Sequence, residues 1–490
     1  MEVGGEGDPA RTGKGTLVMK FGGTSVGTPA AMAGAAEIVR QAREEWQRVV
    51  AVTSALSGVT NLLLESALQA ASGDARPAGK AARRLRRMHA EIAEGVIGDP
   101  SARAQAGREI EALLATFKDL CRAVAVLGEA SPRALDAVAS LGERMAVRLL
   151  AAALESTGTP ARYVEATGLI VTDDRFQNAY PDFPATIQKT RQALEPVLAG
   201  GCVPVVTGFI AATPEGITTT LGRGGSDYSA GILGAALPAD EVWIWTDVDG
   251  VMTADPRLVP EACTIPEISY REIAELAYYG AKVLHPKTIR PVVEAGIGLR
   301  ICNTFNPDHP GTRLVADDPE RNGKQLDGGK IIKAVTAIRG QKLVTVEGRG
   351  MLGVPGVAAR TFGAVASTGT SVPLITQASS EQSICFALPA DAAGEVLAAL
   401  KKAFAAELAD GDIDRVWATE EVAIITAVGA GMIHTPGVAG RIFTALGRCG
   451  VNVIAIAQGS SEVSISLVVT SADTEAAVRA VHALIENGRA

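Results

Sequence analysis

Two glycine-rich loops carry the residues best suited to chemistry. Lys20-Phe21-Gly22-Gly23-Thr24-Ser25-Val26-Gly27 follows the apolar run Leu17-Val18-Met19, which reads as a strand, and precedes an alanine-rich helical pattern over about 30–43. A strand, a tight glycine pair and a helix start form a ready anion site, because unpaired backbone N–H groups and the helix dipole converge there. Lys20 adds a compact positive charge. Arg223-Gly224-Gly225-Ser226-Asp227 is a second phosphate-type loop with a cation and a carboxylate. It follows a strand at 203–209 and a hairpin around Thr213-Pro214-Glu215-Gly216, and a helix is expected from Ser229. Taken singly, these loops have plainer readings: a glycine-rich βα turn, and a helix N-cap supplied by Ser226 or Asp227.

Two further stretches could contact a nucleotide. Trp245-Thr246-Asp247-Val248-Asp249-Gly250 begins a polar, turn-rich segment that runs to Arg257; its plainer reading is a hairpin turned at Asp249-Gly250. Gly280-Ala281-Lys282-Val283-Leu284-His285-Pro286 sets Lys282 beside a helix end, with His285 read as a cap before Pro286.

The elements that must position these loops alternate. Strands at 49–53, 203–209, 241–246 and 299–303 are separated by helical patterns, with breaks at Gly98-Asp99-Pro100 and Ser131-Pro132. This predicts an α/β fold with a largely parallel sheet sandwiched by helices and functional loops at the strands' carboxyl ends. At 490 residues there is room for two or three domains. Hydrophobic residues make up 47% and charged residues 20%, as in a globular protein, and the net charge of −8 argues against nucleic acid as the main partner. The cluster Arg83-Arg84-Leu85-Arg86-Arg87 reads as a solvated helix face. Six cysteines are scattered without a C-x-x-C pair and five histidines do not cluster, which fits reduced thiols in a cytoplasmic protein and no metal site. Residues 1–14 read as a disordered tail, and no apolar run approaches the roughly 20 residues of a membrane span.

The catalytic region is expected over 15–316, followed by a polar linker at 317–330 and an internal duplication. Pro355-Gly356-Val357-Ala358 recurs as Pro436-Gly437-Val438-Ala439, Phe362 as Phe443, and Gln377-x-Ser379-Ser380-Glu381 as Gln458-x-Ser460-Ser461-Glu462, at a constant offset of 81 residues. The repeats are expected at 331–420 and 421–490. The second lacks a final strand, so 331–338 is expected to fill its open edge and interleave the two copies.

In order along the chain, Lys20-Phe21-Gly22-Gly23-Thr24-Ser25, Ser140-x-Gly142-Glu143, Gly222-Arg223-Gly224-Gly225-Ser226-Asp227, Thr246-Asp247-Val248-Asp249-Gly250 and Gly280-Ala281-Lys282-Val283-Leu284-His285-Pro286 resemble the motifs of aspartate kinases. The resemblance covers the chain from about residue 15. The duplicated tail resembles that family's paired ACT regulatory domains, small α+β ferredoxin-like units. The family implies transfer of the γ-phosphoryl group of ATP to the side-chain carboxylate of L-aspartate, giving 4-phospho-L-aspartate, at the start of the lysine, threonine, methionine and isoleucine pathway. That carboxylate, with a pKa of about 3.9, is already ionised near neutrality, so no general base is needed. The obstacle is bringing an anion to a polyanion, which calls for positive charge and backbone donors.

By this resemblance Lys20 supports the transferring group beside the N–H groups of Gly22, Gly23 and the Gly224-Gly225 loop, and Asp227 orients the cations. Arg223 takes the α-carboxylate, Glu143 the α-ammonium, and Ser54, Thr60 and Ser226 line the substrate site. Thr246, Asp247, Arg257 and Lys282 contact ATP. Mg²⁺ rides on the phosphates, with no protein ligand set assigned. Met252 stands where relatives commonly carry Tyr. Asp173-Asp174-Arg175-Phe176 also resembles a family motif and is given a positioning role.

The ACT repeats imply feedback control by an amino acid held near Gln377, Gln458 and Asn452. The Gln-x-Ser-Ser-Glu form resembles the threonine-sensitive type found in bifunctional aspartokinase–homoserine dehydrogenases, which favours threonine over lysine. No dehydrogenase module is expected. ACT pairing implies a homodimer or larger assembly. The alternatives are another amino acid kinase, acting on glutamate or acetylglutamate, and a catalytically inactive amino-acid sensor. A Glu143 devoted to a free ammonium argues against an N-acetylated substrate.

Overall fold

The computed structural model describes residues 14–278, 284, 286–316, 331–377 and 382–486. The chain divides into two compact units, Met1–Val251 with Leu284–Ala316, and Met252–Val283 with Asp317–Ala490. The catalytic region expected over 15–316 is not one unit here: residues 252–278 sit in the second, where Ala254 and Val259 share a buried core with Ile332, Val335 and Met432.

The strands of the first unit are β1 (Lys14–Phe21), β2 (Trp46–Thr53), β3 (Ala161–Val164), β4 (Val203–Thr207), the two arms β5 (Ile210–Ala212) and β6 (Thr218–Thr220) of a separate hairpin, then β7 (Glu241–Thr246), β8 (Gly298–Asn303) and β9 (Thr312–Val315). They lie in the order β3-β4-β2-β1-β7-β8-β9. All pairs are parallel except β8 with β9, so the largely parallel sheet is present.

The helices include α1 (Pro29–Glu45), α2 (Val59–Ala70), α3 (Arg76–Val96), α4 (Pro100–Leu127), α5 (Pro132–Ser156), α6 (Phe183–Ala199) and α7 (Gly225–Ala236). The sequence breaks are caps. Asp99 accepts the N–H groups of Ser101 and Ala102, Ser131 accepts that of Ala134, and proline follows each at the first helical position. One core joins Leu17, Met19 and Phe21 of β1 to Met32, Leu63, Leu85, Phe117 and Leu150. Burying Phe21 contributes about 2 kcal/mol. Its ring stacks on Trp245, with centroids 6.1 Å apart and planes 12° from parallel, which holds the ends of β1 and β7 side by side.

The second unit contains β10 (Ala334–Glu347), β11 (Leu374–Gln377), β12 (Ser383–Pro389), β13 (Arg415–Ala418), β14 (Val422–Val428), β15 (Ala455–Gln458) and β16 (Ser464–Thr470). The helices of the two copies include α8 (Val357–Ala366), α9 (Ala393–Ala403), α10 (Val438–Arg448) and α11 (Thr474–Glu486). The sheet order is β11-β12-β10-β14-β16-β15, with β13 also on β10. Strand β10 serves both copies. Its first half, Ala334 to Ile338, pairs antiparallel with β14 of the second copy, and its second half, Gln341 to Glu347, pairs with β12 of the first. The register shifts between Ile338 and Gln341, where Gly340 takes a left-handed φ of 65°. The linker expected at 317–330 lies outside the described residues, as does most of the N-terminal tail. No helix among the described residues is long and apolar enough to cross a membrane.

Val335 is buried in the core of the second copy. Val335→Asp buries an unpaired carboxylate there and is expected to cost ~3 kcal/mol. Amide hydrogen exchange should then rise across Val422–Val428 far more than across Ser383–Pro389. Equal loss of protection in both strands would contradict the division of β10 between the copies.

Candidate active site

The site gathers at the carboxyl ends of β1, β2, β4 and β7. Lys20 is the penultimate residue of β1 and is only 8% exposed. An isolated ammonium there would be strongly disfavoured, but its Nζ lies 2.6 Å from Asp227 Oδ1. Asp227 arrives from α7, which begins at Gly225, four residues before the expected Ser229, because Gly224 takes a left-handed φ of 69° and turns the chain into the helix. Asp227 therefore stands in the first helical turn, where a carboxylate also complements the dipole. Among the described residues the N–H groups of Ser226 and Asp227 have no backbone acceptor, which makes them an available donor pair.

The two glycines after Lys20 differ in role. The Gly22 N–H donates to Trp245 O at 3.1 Å, extending the β1–β7 ladder by one rung. It is thus occupied, which corrects the expectation that it faces a phosphate. A Cβ on Gly22 would lie 3.4 Å from Lys20 Nζ, so its glycine keeps room for the cation. A Cβ on Gly23 would fall 2.9 Å from Ala55 O, so no side chain fits between this loop and the one after β2.

That second loop carries Ser54, whose N–H donates to Phe21 O at 3.1 Å, and leads to Thr60 in the first turn of α2. Glu143 enters from the middle of α5 and is 3% exposed. Its Oε1 accepts the Ala55 N–H at 3.2 Å, while Oε2 has no partner among the described residues. Burial pushes its carboxyl up to about 8, opposed in part by backbone hydrogen bonds. The folded state thus holds this proton where the unfolded chain releases it. Raising the pH from the ordinary glutamate range toward 8 costs stability, and a cation brought to Oε2 reverses the preference.

Lys20, Ser54, Thr60, Glu143, Arg223, Ser226 and Asp227 all line one cleft of about 330 Å³. Arg223 is exposed, and no ion pair holds it among the described residues. The cleft thus has an engaged cation, a free cation and a carboxyl oxygen without a partner. Such a set suits a zwitterion on one side and a polyanion on the other. Phe209 also lines it, and no sequence motif pointed there. It holds a left-handed φ of 65°, uncommon for an aromatic residue, and its N–H donates to Ser229 Oγ.

Not every expected residue joins this cleft. Thr246 and Asp247 follow Trp245 at the end of β7, beside the β1 loop, and Thr246 Oγ1 donates to Asp247 Oδ1 at 3.1 Å. Arg257 belongs to the second unit, where Asp255 holds it at 2.6 Å, so it is already paired and does not line the cleft. Lys282 and His285 lie outside the described residues. Asp173 closes its own turn, accepting the N–H groups of Arg175 and Tyr180.

In the second unit Gln458 lines a separate cavity of about 410 Å³ with Met432, His434, Thr435, Glu462 and Ile465. Asn452 is exposed and does not line it, a correction to its grouping with Gln458: it precedes β15, whereas Gln458 ends that strand. Gln377 ends β11 and is exposed, and Ser379, Ser380 and Glu381 lie outside the described residues.

A family profile for amino acid kinases matches residues 15–303, and an ACT-domain profile matches 344–404 and 425–484. The bifunctional aspartokinase/homoserine dehydrogenase 1, chloroplastic, of Zea mays is 38% identical over 471 residues, which cover 95% of this chain and 50% of that protein. The chain spans about half the length of such bifunctional relatives. The aspartokinase of Schizosaccharomyces pombe is 33% identical, with 98% of this chain and 93% of that one covered. Escherichia coli aspartokinase III, solved in complex with aspartate and ADP in its R-state, matches with a TM-score of 0.78 at 32% identity, covering 96% of this chain and 100% of that one. The strand order, the two glycine loops and the duplicated tail have the same explanation as these matches: the chain belongs to the amino acid kinase family and, within it, to the aspartokinases.

Proposed function

We propose that the chain is an aspartate kinase, transferring the γ-phosphoryl group of ATP to the side-chain carboxylate of L-aspartate. The observation that carries this reading is the buried Glu143 Oε2, without a partner among the described residues, on a residue that lines the same cleft as Lys20, Asp227 and Arg223. A buried carboxyl oxygen left open in this way calls for a donor from the substrate, and an α-ammonium supplies one. The aspartate and ADP named for the E. coli relative support the same substrate pair.

In this reading Glu143 grips the ammonium and Arg223 the α-carboxylate, with Ser54, Thr60 and Ser226 completing the wall. The side-chain carboxylate attacks the γ-phosphorus, the bond to the β-phosphate oxygen breaks, and ADP leaves. Lys20 offsets negative charge on the transferring group, and Asp227 keeps its ammonium in place. The N–H groups of Ser226 and Asp227 add donors at the helix start. Thr246, Asp247 and Lys282 contribute to nucleotide binding. Magnesium arrives on the ATP phosphates and neutralises part of their charge. Among the described residues no group of three His, Cys, Asp or Glu side chains forms a metal cluster, so no protein ligand set is proposed.

The cavity at Gln458 is proposed as an effector site, with threonine favoured over lysine from the Gln-x-Ser-Ser-Glu form of both repeats. Assembly through the ACT segments is proposed as well, since the edge strands β11 and β15 expose Ile375 and Ile456.

Hydroxamate formation from aspartate, glutamate and acetylglutamate tests the substrate. Aspartate alone should react, and Lys20→Ala should lower kcat roughly 10³-fold. Aspartate turnover that is absent, or unchanged by this substitution, would sink the reading. The Glu143 carboxyl must ionise to hold an ammonium. The KM for aspartate is therefore expected to fall as pH rises from about 6 toward 8 and to level off above, a trend that Glu143→Gln should abolish while raising KM roughly 10- to 100-fold. For regulation, threonine should inhibit and lysine should not, and Gln458→Ala should raise the half-inhibitory threonine concentration at least about fivefold. Inhibition by lysine alone would reverse the effector assignment.

A further inference from the structure

Asp136 is a carboxylate the mechanism does not use, yet it is 1% exposed and saturated with hydrogen bonds. Its Oδ2 accepts the N–H groups of Gln177 and Thr220, both at 2.9 Å, and its Oδ1 accepts the Thr220 hydroxyl at 2.8 Å. No cation pairs with it among the described residues. It lies on α5 seven residues before Glu143, which is two helical turns, so both carboxyls share one face of the helix about 10 Å apart along its axis.

The strand that Asp136 grips, β6, ends at Thr220 and runs within three residues into Arg223. Little slack lies between them. The Leu221 N–H donates to Phe209 O at 2.9 Å and the Gly225 N–H to Gly222 O at 2.9 Å. Gly222 holds a left-handed φ of 78°, and a Cβ there would fall 2.8 Å from Asn178 Oδ1, next to the Gln177 that Asp136 also holds. A single helix face therefore presents Glu143 directly and anchors the loop that carries Arg223.

We propose that Asp136 is a positioning residue for substrate recognition: by holding Thr220 and Gln177 to α5, it sets the spacing between the Arg223 guanidinium and the Glu143 carboxylate that together span the α-carboxylate and α-ammonium of the amino acid. This rests on the aspartate kinase reading. Asp136 touches no substrate and acts only through the Arg223 loop. Its three bonds ask for acceptors and not for charge. An asparagine can keep them, with its oxygen taking the two N–H groups and its amide nitrogen donating to the Thr220 hydroxyl.

Steady-state kinetics of the full chain test this. Asp136→Ala should raise the KM for aspartate roughly 10-fold while leaving the KM for ATP within about twofold and kcat within about threefold. Asp136→Asn should stay within about threefold of the unmodified chain. In an Arg223→Ala background, Asp136→Ala should add less than about twofold, because its effect passes through the group already removed. Effects that multiply in the double variant, or that fall on kcat or on ATP, would overturn the proposal. If Asp136→Ala does not fold, Thr220→Val decides. A rise in aspartate KM of about two- to fivefold that vanishes in the Arg223→Ala background supports the role, and an unchanged KM overturns it. An unmodified chain with no aspartate-dependent turnover overturns the substrate reading and this inference together. An active chain with additive variants overturns this inference alone.

Discussion

The pair of Lys20 and Asp227 is the interaction on which the site depends. An ammonium at the buried end of a parallel strand is tolerable only with a counter-charge beside it, and the 2.6 Å contact supplies one. That requirement explains much of the surrounding geometry. Helix α7 must start where its first turn reaches β1, so Gly224 bends the chain in a left-handed conformation. The β1 loop must pass close to the loop after β2, so Gly23 has no room for a side chain. The stacked rings of Phe21 and Trp245 hold the β1 and β7 ends in register. None of these features is chemically reactive, yet each fixes where one positive charge sits.

Glu143 is the complementary case. Lys20 has its partner within the protein, whereas Glu143 has half of its own. Oε1 accepts the Ala55 N–H, and Oε2 is buried with no hydrogen-bond partner among the described residues. Burial accordingly favours the neutral carboxyl, with its pKa pushed up to about 8. The cleft thus combines the paired Lys20, the Arg223 cation, which has no ion pair among the described residues, and one carboxyl whose ionisation an arriving cation favours. Affinity and protonation are then linked through a single side chain.

The second unit meets a different constraint. The two copies lie in one seven-stranded sheet, and the second, one strand short if built alone, borrows the first half of β10, which changes partner at its register shift near Gly340. An open edge is thereby closed without an added segment. The copies are joined through a continuous backbone ladder along β10.

Local patterns settle a good deal from the residues alone. The strand–glycine–helix run around Lys20, the loop from Arg223 to Asp227, the caps at Asp99 and Ser131, and the offset between Gln377 and Gln458 all depend on neighbours within a few residues or on exact repetition, and such signals survive in one dimension. The resemblance of ordered motifs then pointed to Glu143, a residue whose own surroundings read as an ordinary helix. The tertiary structure decided what depends on distant partners. It spent the Gly22 N–H on Trp245, more than 200 residues away. It removed Asn452 from the Gln458 cavity, brought Phe209 to the cleft in a left-handed conformation, and tied Asp136 to Thr220 across 84 residues. Which donor is already used and which carboxyl oxygen is left open follow from how separate elements pack. That packing sums many weak contacts across the whole chain, and no local stretch of sequence records it.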